Sequence, residues 1–414
     1  MEHQTCDVTL HLSTLNGFEN ASLSYANGLA NALQYLGARA ALKDQGVVMF
    51  FFLLPLIYPL LYSWIYNNEV VYEVPVVVVD ASHSHESRAF IRAFDASPNV
   101  QVAAYSNSVD EARQRLARQE GYGVVYFPRD YAEQLHRGEQ THVSVYCDMS
   151  LMLAYKAVFQ TAQAVAAKQN ANILLHRQPT FNEHEDELAT EPLAVAEVPI
   201  FNATGGYGNA ILPGVLILIM QQALLLGIGM AAGTARERNR QGYPTLTNIP
   251  KVGALTLIMG KALFYFMVFA VMATYLTLAV PKMFRFTALA SAGSLAALLL
   301  PYLLASIFAA MALSFAVRQR EQVMLLVVFT SVPLLFLTGI SWPQSNMPWV
   351  WELLARLFPS TFAVRGFLRI SSMGATLADI RPELMGLWLQ AIAYFALAWL
   401  MYALQRRRIL HAAK

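Results

Sequence analysis

The chain has 414 residues, 56% apolar and only 14% charged, with a formal net charge of +2. A soluble domain carries about 25% charged residues, so this composition excludes an ordinary water-soluble protein. The near-neutral balance, with no basic face studded with aromatics, excludes nucleic acid as a partner, and two cysteines, Cys6 and Cys147, exclude a disulfide framework.

Residues 1–46 are mostly polar and are predicted as a cytoplasmic segment. Its opening stretch shows no pattern, but Leu29, Leu33 and Leu36 fall at helical spacing. That spacing suits an amphipathic helix on the membrane surface and equally one packed on protein. The first apolar run starts at Val47, late for a secretory signal, and no small-residue cleavage site follows it. It is read as a retained anchor. Residues 47–66, "VVMFFFLLPLIYPLLYSWIY", carry no charge. At a rise of roughly 1.5 Å per residue the run reaches about 30 Å, the thickness of a bilayer core. Pro55 and Pro59 are expected to kink it.

Residues 67–209 read as an α/β domain followed by an acidic linker. "VPVVVVD" is a buried strand, and "SHESRAFIRAF" a helix with Ser82 or Ser84 near its cap. "VQVAAY" leads into "SVDEARQRLARQ", where Ser108 and Glu111 form a capping box. "YGVVYFP" precedes "RDYAEQLHRG", and "THVSVYCD" precedes a helix from about Ser150 to Arg177. The repeated strand–helix order implies an α/β fold. "NEHEDELATEPLAVAEVP", acidic without a base, is the linker back to the membrane.

Five more apolar runs follow within 210–404: about 210–232, 254–280, 287–317, 323–340 and 384–404. The run from Thr287, with Pro301 inside, suits one tilted span or a span plus a surface helix. Ile340 to Glu383 reads as interfacial helices, with Trp342, Trp349 and Trp351 at headgroup depth. Arg39 and Lys43, the loop 233–253, Arg318 and Arg320, and the basic tail 405–414 fall on one side, which the positive-inside rule makes the cytoplasm. Lys282 and Arg285 run against that distribution.

Several chemistries have no support. The phosphate-cradling pattern is missing: at the Gly260–Lys261 pair, Leu255 replaces the first Gly and Ala262 the hydroxyl residue. "GIGMAAG", 227–233, lies inside a span and reads as close helix packing. The predicted span interiors hold no Asp or Glu, which disfavours a proton-coupled carrier. Lys261 is placed to snorkel, and Gln221, Gln222, Thr274 and Thr277 are the polar candidates for a path. His83, His85 and Glu86 read as exposed first-turn residues rather than metal ligands. No nucleophile elbow or Ser-His-Asp arrangement stands out. No catalytic, cofactor-binding or metal residue is assigned.

The layout, one anchor, a large insert and five further spans, resembles the type 2 ABC transporter permease family, over about Leu36 to Arg408. "VVVVDASHSHESRAFIRAF" is similar to the opening of the family's insert, and "YGVVYFPRDYAEQLHRGE" and "VSVYCDMS" to its continuation. "RERNRQGYPTLTNIPKVGALTLIMGK" is similar to its inward loop, with Pro244 and Asn248 interrupting the short apolar helix expected there. "LTGISWPQSNMPWVWELLARLFPSTFAVRGF" is similar to the segment after its fifth span. The resemblance implies an α-helical integral membrane protein of six transmembrane helices, with an α/β extracytoplasmic domain between the first two. It implies a non-catalytic permease of an exporter in a bacterial inner membrane, both termini cytoplasmic. It also implies a dimer with a second copy or paralogue, ATP on a separate cassette ATPase, membrane lipid around it, and a periplasmic adaptor as a candidate partner. The implied ATPase-coupling residues are Glu237, Arg238, Arg240, Gly242, Pro250, Gly260 and Lys261, and the motif after the fifth helix is Gly339, Pro343, Pro348 and Pro359. A membrane-anchored receptor or envelope-assembly protein acting through the insert remains the alternative.

Overall fold

The computed structural model describes residues 44–67, 71–177, 201–202, 206–240, 254–317, 319–342 and 344–412. The segment with Leu29, Leu33 and Leu36, the acidic linker, Arg318, Pro343, and the stretch holding Gly242, Pro244, Asn248, Pro250 and Lys251 lie outside the described residues. The chain divides into two compact units, Asn68–Pro199 and the pair Met1–Asn67 with Ile200–Lys414.

In the Asn68–Pro199 unit the elements are β1 (Val74–Asp80), α2 (His85–Asp95), β2 (Val100–Tyr105), α3 (Val109–Ala117), β3 (Gly123–Phe127), α4 (Tyr131–Arg137), β4 (Ser144–Cys147) and α5 (Met152–Arg177); α1 (Gln45–Ile65) precedes them in the chain. The sheet order is β2-β1-β3-β4. β1 runs parallel to both neighbours, whereas β4 pairs antiparallel with β3. A central parallel strand is covered on both faces, which is why β1 is a continuous valine run. Val76 and Val78 pack with Phe90, Phe94, Phe127 and Val158, while Val77 and Val79 pack with Ala112 and Val124.

Ser84 caps α2 in a reciprocal box with Ser87. Asp80, leaving β1, accepts from the Ser82 and His83 amides and from Ser87 Oγ. At α3, Ser108 Oγ accepts from the Glu111 amide, but the Glu111 carboxylate reaches back to Asn107 rather than Ser108. Its other oxygen is held by Arg115, so the expected box is half formed. His83 and His85 are exposed, and Glu86 faces His136 at 3.2 Å; no group of three metal-ligating side chains occurs among the described residues. Phe90 lies 5.4 Å from the Phe127 ring, edge to face. Phe90→Ala is expected to cost this unit about 3–5 kcal/mol. Faster proteolysis within 68–199, with the helical unit left intact, is the readout.

The other unit is built on six helices long and apolar enough to cross a membrane. They are α1 (Gln45–Ile65), α6 (Tyr207–Arg240), α7 (Ala254–Met283), α8 (Ala292–Leu313), α9 (Arg320–Leu337) and α12 (Arg381–Ala412). α6 and α8 are mostly enclosed by the others, and α1, α7, α9 and α12 present most of their surface outward. Two π turns, Met49–Leu53 and Tyr275–Ala279, each end two residues before a proline, Pro55 and Pro281. A proline removes one helical hydrogen bond and its ring crowds the preceding turn; a widened turn accommodates it.

Three boundaries differ from expectation. α6 continues through Arg240, because nothing in "GTARERNR" after Gly233 breaks a helix. The fourth span is one helix starting at Ala292, capped by Ser291; residues 287–291 are not helical, and Asn209 Oδ1 accepts from the Thr287 amide. α12 starts at Arg381 and so includes Glu383, whose carboxylate accepts from Arg369 at 2.9 Å. Between α9 and α12 lie α10 (Trp349–Ala355), with Trp349 and Trp351 exposed, and α11 (Pro359–Ser371), which is largely buried. Gly366 lets α11 approach Leu298 of α8, which a surface-lying helix would not do.

Candidate coupling site at one end of the helical unit

Successive crossings alternate direction. The start of α1, the end of α6, the starts of α7 and α9, and the ends of α8 and α12 therefore share one side. There Asp44 Oδ1 accepts from the Gly46 amide at 3.0 Å, and Oδ2 from Thr234 Oγ1 of α6 at 2.8 Å. Glu237, also on α6, accepts from the Arg320 amide of α9 at 3.1 Å. The α9 N-cap residue, Gln319, makes no side-chain cap, so Glu237 serves as a cap lent by another helix. Small residues bring these helices together. A Cβ at Gly233 would stand 2.9 Å from Arg320 Cα, one at Gly229 2.7 Å from Val323, and one at Gly227 1.9 Å from the Phe51 ring. The "GIGMAAG" stretch is a packing surface for α1 and α9.

A second chain of contacts ties in the remaining helices. Lys261 Nζ of α7 donates to Tyr402 OH of α12 at 3.1 Å and lies 5.2 Å from that ring. Tyr402 meets the edge of Phe315 at 4.6 Å, and the Arg236 guanidinium lies 5.9 Å over Phe315. Of the sequence-predicted coupling residues, Glu237 and Lys261 are thus engaged within the chain, Gly260 is buried on α7, and Arg238 and Arg240 fall on the last turns of α6. Gly242 and Pro250 belong to the undescribed stretch between α6 and α7.

A model of the ABC-2 family transporter protein matches residues 46–400. The chain belongs to the ABC-2 transporter family. It is a multi-pass ABC transporter membrane subunit. No curated protein matches it.

In this ABC-2 transporter the motif after the fifth span organises the opposite end. Gly339, at φ +91°, takes the left-handed position after α9. Pro348 precedes α10, and Pro359 opens α11 where its missing N–H is harmless. The next amide, Ser360, donates to Gln221 Oε1 of α6 at 2.6 Å, and Tyr302 OH donates to Ile217 O at 2.6 Å. Gln221 therefore anchors α11. Thr274 and Thr277 return their hydroxyls to Ala270 and Ala273 carbonyls, and only Gln222 of the four polar candidates has a buried, unpartnered side chain.

Sequence reasoning passed over Asp44, Thr234 and Tyr402, and read Arg320 only as an orientation signal. Asp44 had a signal, a cap residue one position before the span; the others are apparent only once the helices are placed. At Asp44, burial alone would raise the pKa. The Thr234 hydroxyl, the Gly46 amide and the Arg320 charge outweigh it, and the carboxyl is held below its usual value. Such a group stabilises the fold above the ordinary carboxylate pKa of about 3.9, and the contribution is lost as pH falls through the lowered value. Asp44→Asn is expected to lower thermal stability at neutral pH and to flatten the acid limb of a stability–pH profile in detergent.

Proposed function

We propose that the chain is the permease half of an ATP-driven exporter, working as a pair of copies or paralogues on two separate cassette ATPases. The nucleotide belongs to those partners, since this chain carries no phosphate-cradling loop. The side holding Asp44, Glu237 and the 241–253 stretch is cytoplasmic, and the Asn68–Pro199 unit faces a periplasm. The distribution of Lys and Arg around the spans supports this orientation. Export as the direction, and a periplasmic adaptor as a further partner, rest on the resemblance and the size of the insert.

The observation that carries the coupling proposal is that α6, immediately before the 241–253 stretch, holds both the start of α1 and the start of α9. A push on that stretch would move three helix ends as one body, shifting access to a path between two permeases. The orientation is tested in a background lacking Cys6 and Cys147. Asn239→Cys should resist a membrane-impermeant maleimide in intact cells, and Glu185→Cys should react. Labelling of position 239 from outside, or protection of 185, overturns the orientation.

A further inference from the structure

Arg356 and Arg369 pair with Glu352 and Glu383. Lys282 and Arg285, at the Asn67 side of the bundle, are exposed and pair with no acid among the described residues. Arg285 is also strained. α7 closes with the Phe286 amide donating to Pro281 O at 2.9 Å, and Arg285 takes φ +58° inside that turn. Glycine is the residue suited to this left-handed position after a helix. A long, charged side chain kept there in strain is a feature of ligand clamps.

Arg285 borders a crevice of about 750 Å³ between the ends of α1 and α7. Its apolar walls include Ile57, Leu61 and Trp64 from α1 and Met283 from α7, all exposed; Asn67 and Arg285 are its polar members. A hydrogen bond from Tyr275 OH to Leu56 O, 3.1 Å, joins the two helices next to Ile57, where the α1 wall of the crevice begins. Within a bilayer such a space is filled by hydrocarbon, and an unpaired Arg285 on its lining, with Lys282 next in sequence to its Met283 wall, selects an anionic headgroup.

We propose that this crevice is a binding site for one anionic phospholipid of the leaflet at the Asn67 end. An acyl chain lies against Ile57, Leu61 and Met283, and Arg285 and Lys282 hold the phosphate. The unpaired bases that contradict the general charge distribution are then ligands rather than topology signals. This goes beyond the transport proposal and needs no ATPase.

The test is native mass spectrometry of the purified full chain given equal phosphatidylglycerol and phosphatidylcholine. The wild type should retain phosphatidylglycerol in preference, and Arg285→Gly should reduce the preference about fivefold, the effect of one interfacial cation. Arg285→Gly relieves the backbone strain, so its melting temperature without lipid should stay level or rise. Arg285→Lys should keep most of the preference, and Leu61→Trp, which fills the crevice, should lower retention of phosphatidylglycerol. Undiminished preference in Arg285→Gly overturns the site, as does equal retention of both lipids by the wild type. A different amphiphile retained in place of phosphatidylglycerol, and lost in Leu61→Trp, also overturns it. Because the isolated chain is measured, none of these outcomes bears on ATPase coupling.

Discussion

Gly227→Ala is expected to destabilise the helical unit by about 1–3 kcal/mol, the usual range for overpacking a filled core. In an exposed helix the same change is favourable by roughly 1 kcal/mol, so the sign itself is diagnostic. The new Cβ would stand 1.9 Å from Phe51 Cε1. Phe51 is fully buried and cannot swing away: its ring meets Tyr265 at 5.5 Å and Phe269 at 5.4 Å, both edge to face. Gly214→Ala provides the contrast. Its Cβ would meet Ile340 Cδ1 at 2.1 Å, but Ile340 is only part-buried and ends in a rotatable group. A thermal-stability series in detergent should show a clear loss at 227 and a small change at 214. Phe51→Leu added to Gly227→Ala should recover part of the loss. A Gly227→Ala variant as stable as the wild type would contradict close α1–α6 packing.

Glu237→Ala is expected to impair transport strongly while leaving the ATPase subunit bound. Removing a helix cap costs about 0.5–2 kcal/mol, and here the lost hydrogen bond also joins the end of α6 to the start of α9. Glu237→Gln keeps an oxygen able to accept from the Arg320 amide, so it should keep most of the transport. A residue whose charge docks directly on the ATPase would behave differently, with both variants losing binding equally. Pull-down of the ATPase and transport, measured side by side on the two variants, distinguish the roles.

Much of this organisation is legible in the residues because membranes and sheets impose simple patterns. An uncharged run such as 47–66 must be helical to satisfy its backbone in lipid, and α1 is where that run predicts it. The valine run of β1, and Ser84 and Ser108 as helix caps, likewise follow from local chemistry. Where the reading went astray, the decisive interaction is between distant segments. The start of the fourth span at Ala292 depends on Asn209 holding Thr287, 78 residues away. α11 is amphipathic enough to suggest an interfacial helix, yet Gly366 and Gly386 let it sink against Leu298 of α8 and bring Phe362 against α12. Glu237 was legible as a charged residue near a turn, but its hydrogen bond to Arg320 depends on α6 running on through Arg240.

The most direct measurement of ATPase coupling is transport by proteoliposomes containing this chain alone, and containing it with any cassette ATPase recovered by pull-down on it. A permease half should move substrate only when the ATPase and ATP are both present, and its presence should raise the rate of ATP hydrolysis. Transport by the chain alone, or an ATPase rate indifferent to it, would contradict the role proposed for α6 and its neighbouring helix ends.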